Sequence, residues 1–323
     1  MTTEGEKTKD LIKKIRTIAD KQSTLILAHN YQPPEIYEIA DQIGDSLELA
    51  RSAQQSNADT ILFCGVDFMA DTAKILNPDA RVLIPDPGAR CTMAQMAGTE
   101  EVKQLKRQYP DASVVSYVNT TTATKAVTDI CCTSANAIEI VESCDDDRII
   151  FAPDRNLASY VSRFTDKQII ATEGYCYVHD AITEASVTAM QRLHPDAAFI
   201  AHPECRPLII DKAEVVCSTS GMINFCQNSK IASFIIGTES GMLHRLRKEM
   251  PEKKFFSVAG VCAPMKRVTL EKVKDCLLTG SGEIILEKEL MDRARRPLER
   301  MIDISNRTKS RSCRTREEIH KVL

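Results

Sequence analysis

Three short motifs place groups fit for proton transfer at the ends of apolar runs. His29-x-Tyr31 follows "LILA", Tyr117-x-Asn119 follows "SVVS", and His202-x-Glu204 follows "AFIA". Histidine, tyrosine and glutamate side chains facing a cavity can act as general acids and bases. Glu204 comes directly after Pro203, beside an apolar strand, and glutamate is rarely buried without a partner. His179 joins Tyr31, His202 and Glu204 as an acid–base candidate. About 17 residues beyond the start of each motif stands a hydroxyl: Ser46, Ser134 and Thr219. Each precedes or opens a helical stretch, "LELARSAQ", "ANAIEIVE" and "SGMINFCQ". Such residues serve as ordinary helix N-caps, and helix amino termini also bind carboxylate and phosphate. Their register with three polar strand ends favours anion binding, with Ser218 and Ser220 as further donors in "STSG".

Twelve cysteines are many for 323 residues, and no CxxC pair occurs among them. That argues against a zinc ribbon or a thioredoxin-like motif, so any metal ligands must come together from distant segments. Cys91, Cys176 and Cys262 occupy matching positions, each in a short loop after an apolar run ("ARVLIP", "KQIIAT", "KKFFSV"). Three thiolates can hold one iron–sulfur cubane, leaving one iron open to act as a Lewis acid. A three-cysteine zinc site and three buried thiols without a ligand are the other readings. Cys64, Cys144, Cys217, Cys226 and Cys276 lie in apolar or helical contexts and read as packing, as do Cys131 and Cys132 in a strand. Cys205, next to Glu204, is expected to line the cavity without binding metal.

These coincidences are one coincidence: the chain is written three times, at a period of about 86 residues. Each unit reads strand, loop, helix, short strand, helix, strand, helix, strand. Apolar strands alternating with helices predict parallel sheets covered on both faces, an α/β/α sandwich. Functional loops of such sheets lie beyond the carboxyl ends of the strands. The expected architecture is an α/β protein of three pseudo-threefold-related sandwich domains, with the cluster and active site at their common centre. The units span residues 22–108, 109–194 and 195–282, after an amino-terminal helix (1–21) and before a helical tail (283–323).

Composition excludes several classes. The formal net charge is −3 and the pI about 6.1, without the basic footprint of a nucleic-acid binder. The basic run Arg293 to Arg300 has acidic neighbours and reads as a solvated helix face. The amino-terminal residues lack a secretory pattern, and no apolar run approaches the ~18 residues of a membrane span. A cytoplasmic protein without nucleic-acid or membrane partners is expected.

In order along the chain, "LAHNYQPPEI", "IGDSLELAR", "GVDFMADTAKILNP", "VVSYVNTTTATKA", "DICCTSANA", "FAPDRNLA", "EGYCYVH", "HPEC", "CSTSGM", "FIIGTESGMLHRL" and "CAPMKRVTL" resemble the quinolinate synthase family, from about residue 22 to residue 302. The resemblance implies that Cys91, Cys176 and Cys262 hold a [4Fe–4S] cluster whose open iron binds substrate and assists loss of water. It implies condensation of iminoaspartate with dihydroxyacetone phosphate to quinolinate, with loss of phosphate and two waters. An L-aspartate oxidase or dehydrogenase is then the functional partner. His29 and His202 match substrate-contacting histidines, Tyr31 a tyrosine of the proton transfers, and Glu204 the general base. Tyr117 and Asn119 match groups holding carboxylates, and Ser46, Ser134 and Thr219 match anion-binding hydroxyls. His179 matches a histidine beside the second cluster cysteine. Arg90 and Pro264 depart from the residues common in relatives. Where some relatives carry a CxxCxxC run near the carboxyl end, this tail has Cys313 alone, which rules out that disulfide switch. Two rivals are a different [4Fe–4S] hydro-lyase of a polycarboxylate and a non-catalytic iron–sulfur sensor.

Overall fold

The computed structural model describes residues 3–308 and 313–320. Its strands fall into three sets. The first is β1 (Thr24–His29), β2 (Gln42–Gly44), β3 (Thr60–Cys64) and β4 (Arg81–Leu83). The second is β5 (Ser113–Tyr117), β6 (Ile130–Cys132), β7 (Arg148–Ala152) and β8 (Gln168–Ala171). The third is β9 (Ala198–Ala201), β10 (Val215–Cys217), β11 (Ser233–Gly237) and β12 (Lys254–Ser257), with β13 (Cys313–Thr315) added from the tail. The orders are β2-β1-β3-β4, β6-β5-β7-β8 and β12-β11-β9-β10-β13. Read from the other end, the third repeats the arrangement of the first two. All pairings are parallel except β10 with β13. The expected three-unit α/β architecture is therefore present, with one sheet mixed.

A backbone device shows how alike the units are. Asp41 Oδ2 accepts from Ile26 N at 2.7 Å, Asp129 Oδ2 from Val114 N at 2.8 Å, and Glu214 Oε2 from Phe199 N at 2.6 Å. Each carboxylate satisfies an amide near the start of a central strand, one residue before its pairing with the short neighbouring strand begins. Parallel sheets must be covered on both faces, and these are. Ile26, Leu62 and Leu83 pack with Ile15 and Ala19 of the helix Thr3–Lys21 and with Val273 and Leu277 of the helix Leu270–Thr279. Leu27, Ile61, Phe63 and Val82 point into the main core on the other face. Each such fully buried aliphatic contributes about 1.5–3 kcal/mol by leaving water.

The covering layers are shared between the ranges read from the sequence. The helix Thr99–Gln108, within 22–108, lays Val102 on Val114 and Ile150 of the second sheet. The helix Leu270–Thr279, within 195–282, covers the first sheet. The helix Lys288–Arg307 packs on β6 and on the helix Asp67–Leu76, joining the first and second units. Its arginines do more than face solvent. Arg293, Arg295 and Arg300 donate to the carbonyls of Ala126, Ile75 and Asp129. No helix among the described residues is long and apolar enough to cross a membrane.

Two readings need correction. The tail is not wholly helical, because β13 pairs with β10. That register sets Cys313 opposite Cys217, and the two form a disulfide across 96 residues. Cys217 is thus bonded rather than merely packed, a pairing that only the strand register brings about.

At the edge of the first sheet, Ile84 N donates to Gly282 O at 2.9 Å. Gly282 has φ +81°, and an added Cβ would lie 2.1 Å from Ile84 O. Gly282→Ala is expected to lower unfolding stability by about 1–3 kcal/mol, read from the denaturant midpoint. An unchanged midpoint would show that this edge relaxes freely.

Candidate active site

The three sheets present their carboxyl ends to one central cavity, the kind of place where small-molecule sites are usually found. His29 ends β1, Tyr117 ends β5, and His202 follows β9. With Tyr31, Asn119 and Glu204 they line the cavity. Ser46, Ser134, Thr219 and His179 line it too, as do Cys91, Cys176 and Cys262. Every predicted site residue therefore meets in one place. Cys205 does not: it is fully buried, and its Sγ donates to Gly237 O.

The hydroxyls are not the N-caps. Asp45 caps the helix Ser46–Gln55, and Ser218 caps the helix Thr219–Asn228. Ser46 and Thr219 are the first helical residues, so their hydroxyls are not spent on capping and sit at helix amino termini, where anions are favoured; Thr219 Oγ1 accepts from Asn30 Nδ2 at 2.9 Å and keeps its own proton to donate. Ser134 precedes the helix Ala137–Glu142, whose N-cap is Asn136. Asn119 Oδ1 is buried without a hydrogen-bond partner, an acceptor free for substrate.

A continuous polar chain crosses the cavity wall. Tyr31 Oη lies 2.6 Å from Thr238 Oγ1, and His179 Nε2 lies 2.8 Å from the same oxygen. His179 Nδ1 is 2.7 Å from Glu204 Oε2, short but off the ideal hydrogen-bond line. Tyr117 Oη donates to Glu204 Oε1 at 2.5 Å. The chain draws on all three units. Thr238, the link between Tyr31 and His179, is not among the residues the sequence singles out; its signal is its place just past β11. Burial pushes Glu204 up, but the close approach of His179 and His202 and the hydrogen bond from Tyr117 outweigh it. The carboxylate is held below its usual range and stays ionised. Burial, and then the charges of neighbouring Lys266 and His179 respectively, lower His29 and His202 to about 3. Both are neutral near pH 7. Burial raises Tyr31 and Tyr117 well above the usual phenol range.

The loops carrying the cysteines close a ring. Tyr175 N donates to Met96 Sδ at 3.4 Å, linking the second loop to the first. Ala263 N donates to Tyr177 Oη at 2.9 Å, linking the third to the second. Arg267 Nε pairs with Asp86 Oδ2 at 3.1 Å, linking the third to the first. Of the free cysteines among the described residues, Cys91, Cys176 and Cys262 are partly exposed and the others are buried. Burial still pushes Cys91 up to about 12 and raises Cys176 and Cys262, so ionising them calls for a cation beside them. Three cysteines on one zinc have sulfurs about 3.8 Å apart, as tetrahedral bonds of about 2.3 Å require. Among the described residues, the ligand atoms that gather within 4.8 Å are those of Cys176, His179 and Glu204, not the three thiols. The three thiols reach one cavity from three loops, a donor set that fits a thiolate-held metal group.

The family model described as "NadA: Quinolinate synthetase A protein" matches residues 13–303. The chain belongs to the quinolinate synthase family. Among its relatives, the quinolinate synthase of Methanoregula boonei is 51% identical over 294 residues, 90% of this chain and 97% of that protein. Quinolinate synthase 1 of Methanosarcina acetivorans is 46% identical, covering 91% and 98% of the two chains. The quinolinate synthase of Pyrococcus furiosus is 45% identical, covering 93% and 100%. Membership of the quinolinate synthase family implies an iron–sulfur or related metal cofactor and small-molecule substrates.

Proposed function

We propose that this chain condenses iminoaspartate with dihydroxyacetone phosphate to give quinolinate, phosphate and two waters, with a [4Fe–4S] cluster held by Cys91, Cys176 and Cys262. The observation that carries the reading is the polar chain from Tyr31 through Thr238, His179 and Glu204 to Tyr117, set on the same cavity as the three partly exposed cysteines. When bound, the cluster supplies an open iron that acts as a Lewis acid on substrate oxygen. The protein does the rest. Glu204, ionised and buried, accepts a proton from substrate carbon. Tyr31, protonated and hydrogen-bonded to Thr238, returns protons on the opposite side. The helix ends at Ser46 and Thr219 bind the phosphate and carboxylates, with Ser134 and Asn119 beside them. Neutral His29 and His202 donate to substrate oxygens without adding charge. An L-aspartate oxidase or dehydrogenase supplies the unstable imine.

The test is turnover by protein prepared without oxygen. About four iron and four sulfide per chain are expected, with a broad visible band lost in air. Quinolinate should form from iminoaspartate plus dihydroxyacetone phosphate and stop when the triose phosphate is omitted. Turnover of a polycarboxylate without triose phosphate would favour the other hydro-lyase. A loaded cluster with no turnover would favour the sensor.

A further inference from the structure

Two of the cysteine loops are each met by a carboxylate that their own unit supplies. Asp67, Asp154 and Glu239 stand just beyond the ends of β3, β7 and β11. Asp67 Oδ1 accepts from the Cys91 amide at 3.0 Å, 24 residues on. Glu239 Oε1 accepts from the Cys262 amide at 3.1 Å, 23 residues on. In the second unit Asp154 takes the matching place ahead of Cys176. Asp154 is fully buried, and its Oδ2 makes no hydrogen bond of ordinary geometry. The three are anchored from behind. Asp67 Oδ1 also accepts from Phe68 N, Asp154 Oδ1 from Asn156 N and Leu157 N, and Glu239 Oε2 from Gly241 N. Glu239 is fully buried and also paired with Lys266 Nζ at 3.1 Å.

We infer that Asp67 and Glu239 are positioning residues: each fixes the backbone of one cluster cysteine, and together their charge disfavours reduction of the cluster. The inference rests on the cysteine-held cluster proposed above. A carboxylate that accepts the amide of a cysteine fixes the loop and hence the direction of its sulfur. Outer-shell partners of this kind govern metal retention. Negative charge beside a cluster opposes an added electron and lowers its reduction potential. That suits a centre that acts as a Lewis acid and does not cycle its redox state.

The experiment uses the full chain, loaded without oxygen, as Asp67→Ala, Asp67→Asn and Glu239→Gln. Iron release to excess ferrous chelator is followed, and reduction midpoints are read in a dithionite titration. Thermal unfolding of the metal-free protein controls for folding. Alanine removes the acceptor and the charge, whereas asparagine and glutamine keep an acceptor oxygen. Asp67→Ala is expected to release iron about tenfold to a hundredfold faster than the parent. Asp67→Asn and Glu239→Gln should hold iron near the parental rate, with midpoints shifted to more positive potential. Parental release from Asp67→Ala, together with parental midpoints in the other two, would overturn the inference. If Asp67→Ala does not fold, the two midpoints decide it. A parent chain that takes up no iron would instead overturn the cluster reading itself, a result distinct from a loaded parent with unaffected variants.

Discussion

Replacing Cys176 with serine is expected to remove most of the iron from oxygen-free protein and to lower turnover by more than about a hundredfold, beyond the usual cost of losing an outer-shell partner. Cys176 sits where the ligand atoms of His179 and Glu204 converge within 4.8 Å, and the cluster, the proton-transfer groups and the substrate must all meet there. A serine oxygen is a poor substitute, because iron–sulfur clusters prefer soft thiolate and the hydroxyl does not ionise readily. Folding should be spared. Cys176 lies in a loop, is partly exposed, and packs only at the margin of the core. Iron and sulfide content, turnover and the thermal midpoint of the metal-free protein separate these effects. Cys205→Ser is the matched control, a buried cysteine off the cavity, and it should keep its iron. Full iron loading with normal turnover in Cys176→Ser would remove Cys176 from the ligand set.

Glu204→Gln is expected to keep the cluster and lower kcat by about 10²–10⁴, the range for losing a general base. The change is nearly isosteric, so the cavity keeps its shape while the proton acceptor is lost. It also sets an amide against Tyr117 Oη and His179 Nδ1, which the parent holds at 2.5 Å and 2.7 Å. Because Glu204 is ionised in the parent, the loss should appear across the neutral pH range, not only at one side of it. Iron content and the visible band should match the parent while single-turnover quinolinate formation falls. A parental rate would mean that the proton leaves by another group and would remove Glu204 from the role of general base.

The cysteines were legible because three copies of one position agree; a single loop cysteine among twelve carries no such mark. The same register found the strand-end pairs and the hydroxyls. It placed Ser46 and Thr219 at helix starts but one residue off as caps, since Asp45 and Ser218 do the capping. The carboxylates behind the cysteines also repeat, but the third is glutamate and the spacing to the cysteine changes slightly. The change of residue type and of spacing blurs the repeat on paper. Thr238 was invisible for a different reason: a threonine after a strand is ordinary until Tyr31 and His179 arrive from distant segments to share its oxygen. The Cys217–Cys313 bond needed the register of a three-residue tail strand that no apolar pattern announces.

The helix Leu270–Thr279, lying over the first sheet, bears on how the protein is born. β1 leaves the ribosome early, yet the helix that seals Ile26, Leu62 and Leu83 is translated some 240 residues later. At bacterial or eukaryotic elongation rates that is an interval of roughly ten seconds or more. Throughout it, one face of the first sheet has only the amino-terminal helix as cover. The first sheet to be synthesised waits for a helix from the last quarter of the chain, so the nascent chain carries a patch of bare aliphatic surface until that helix arrives.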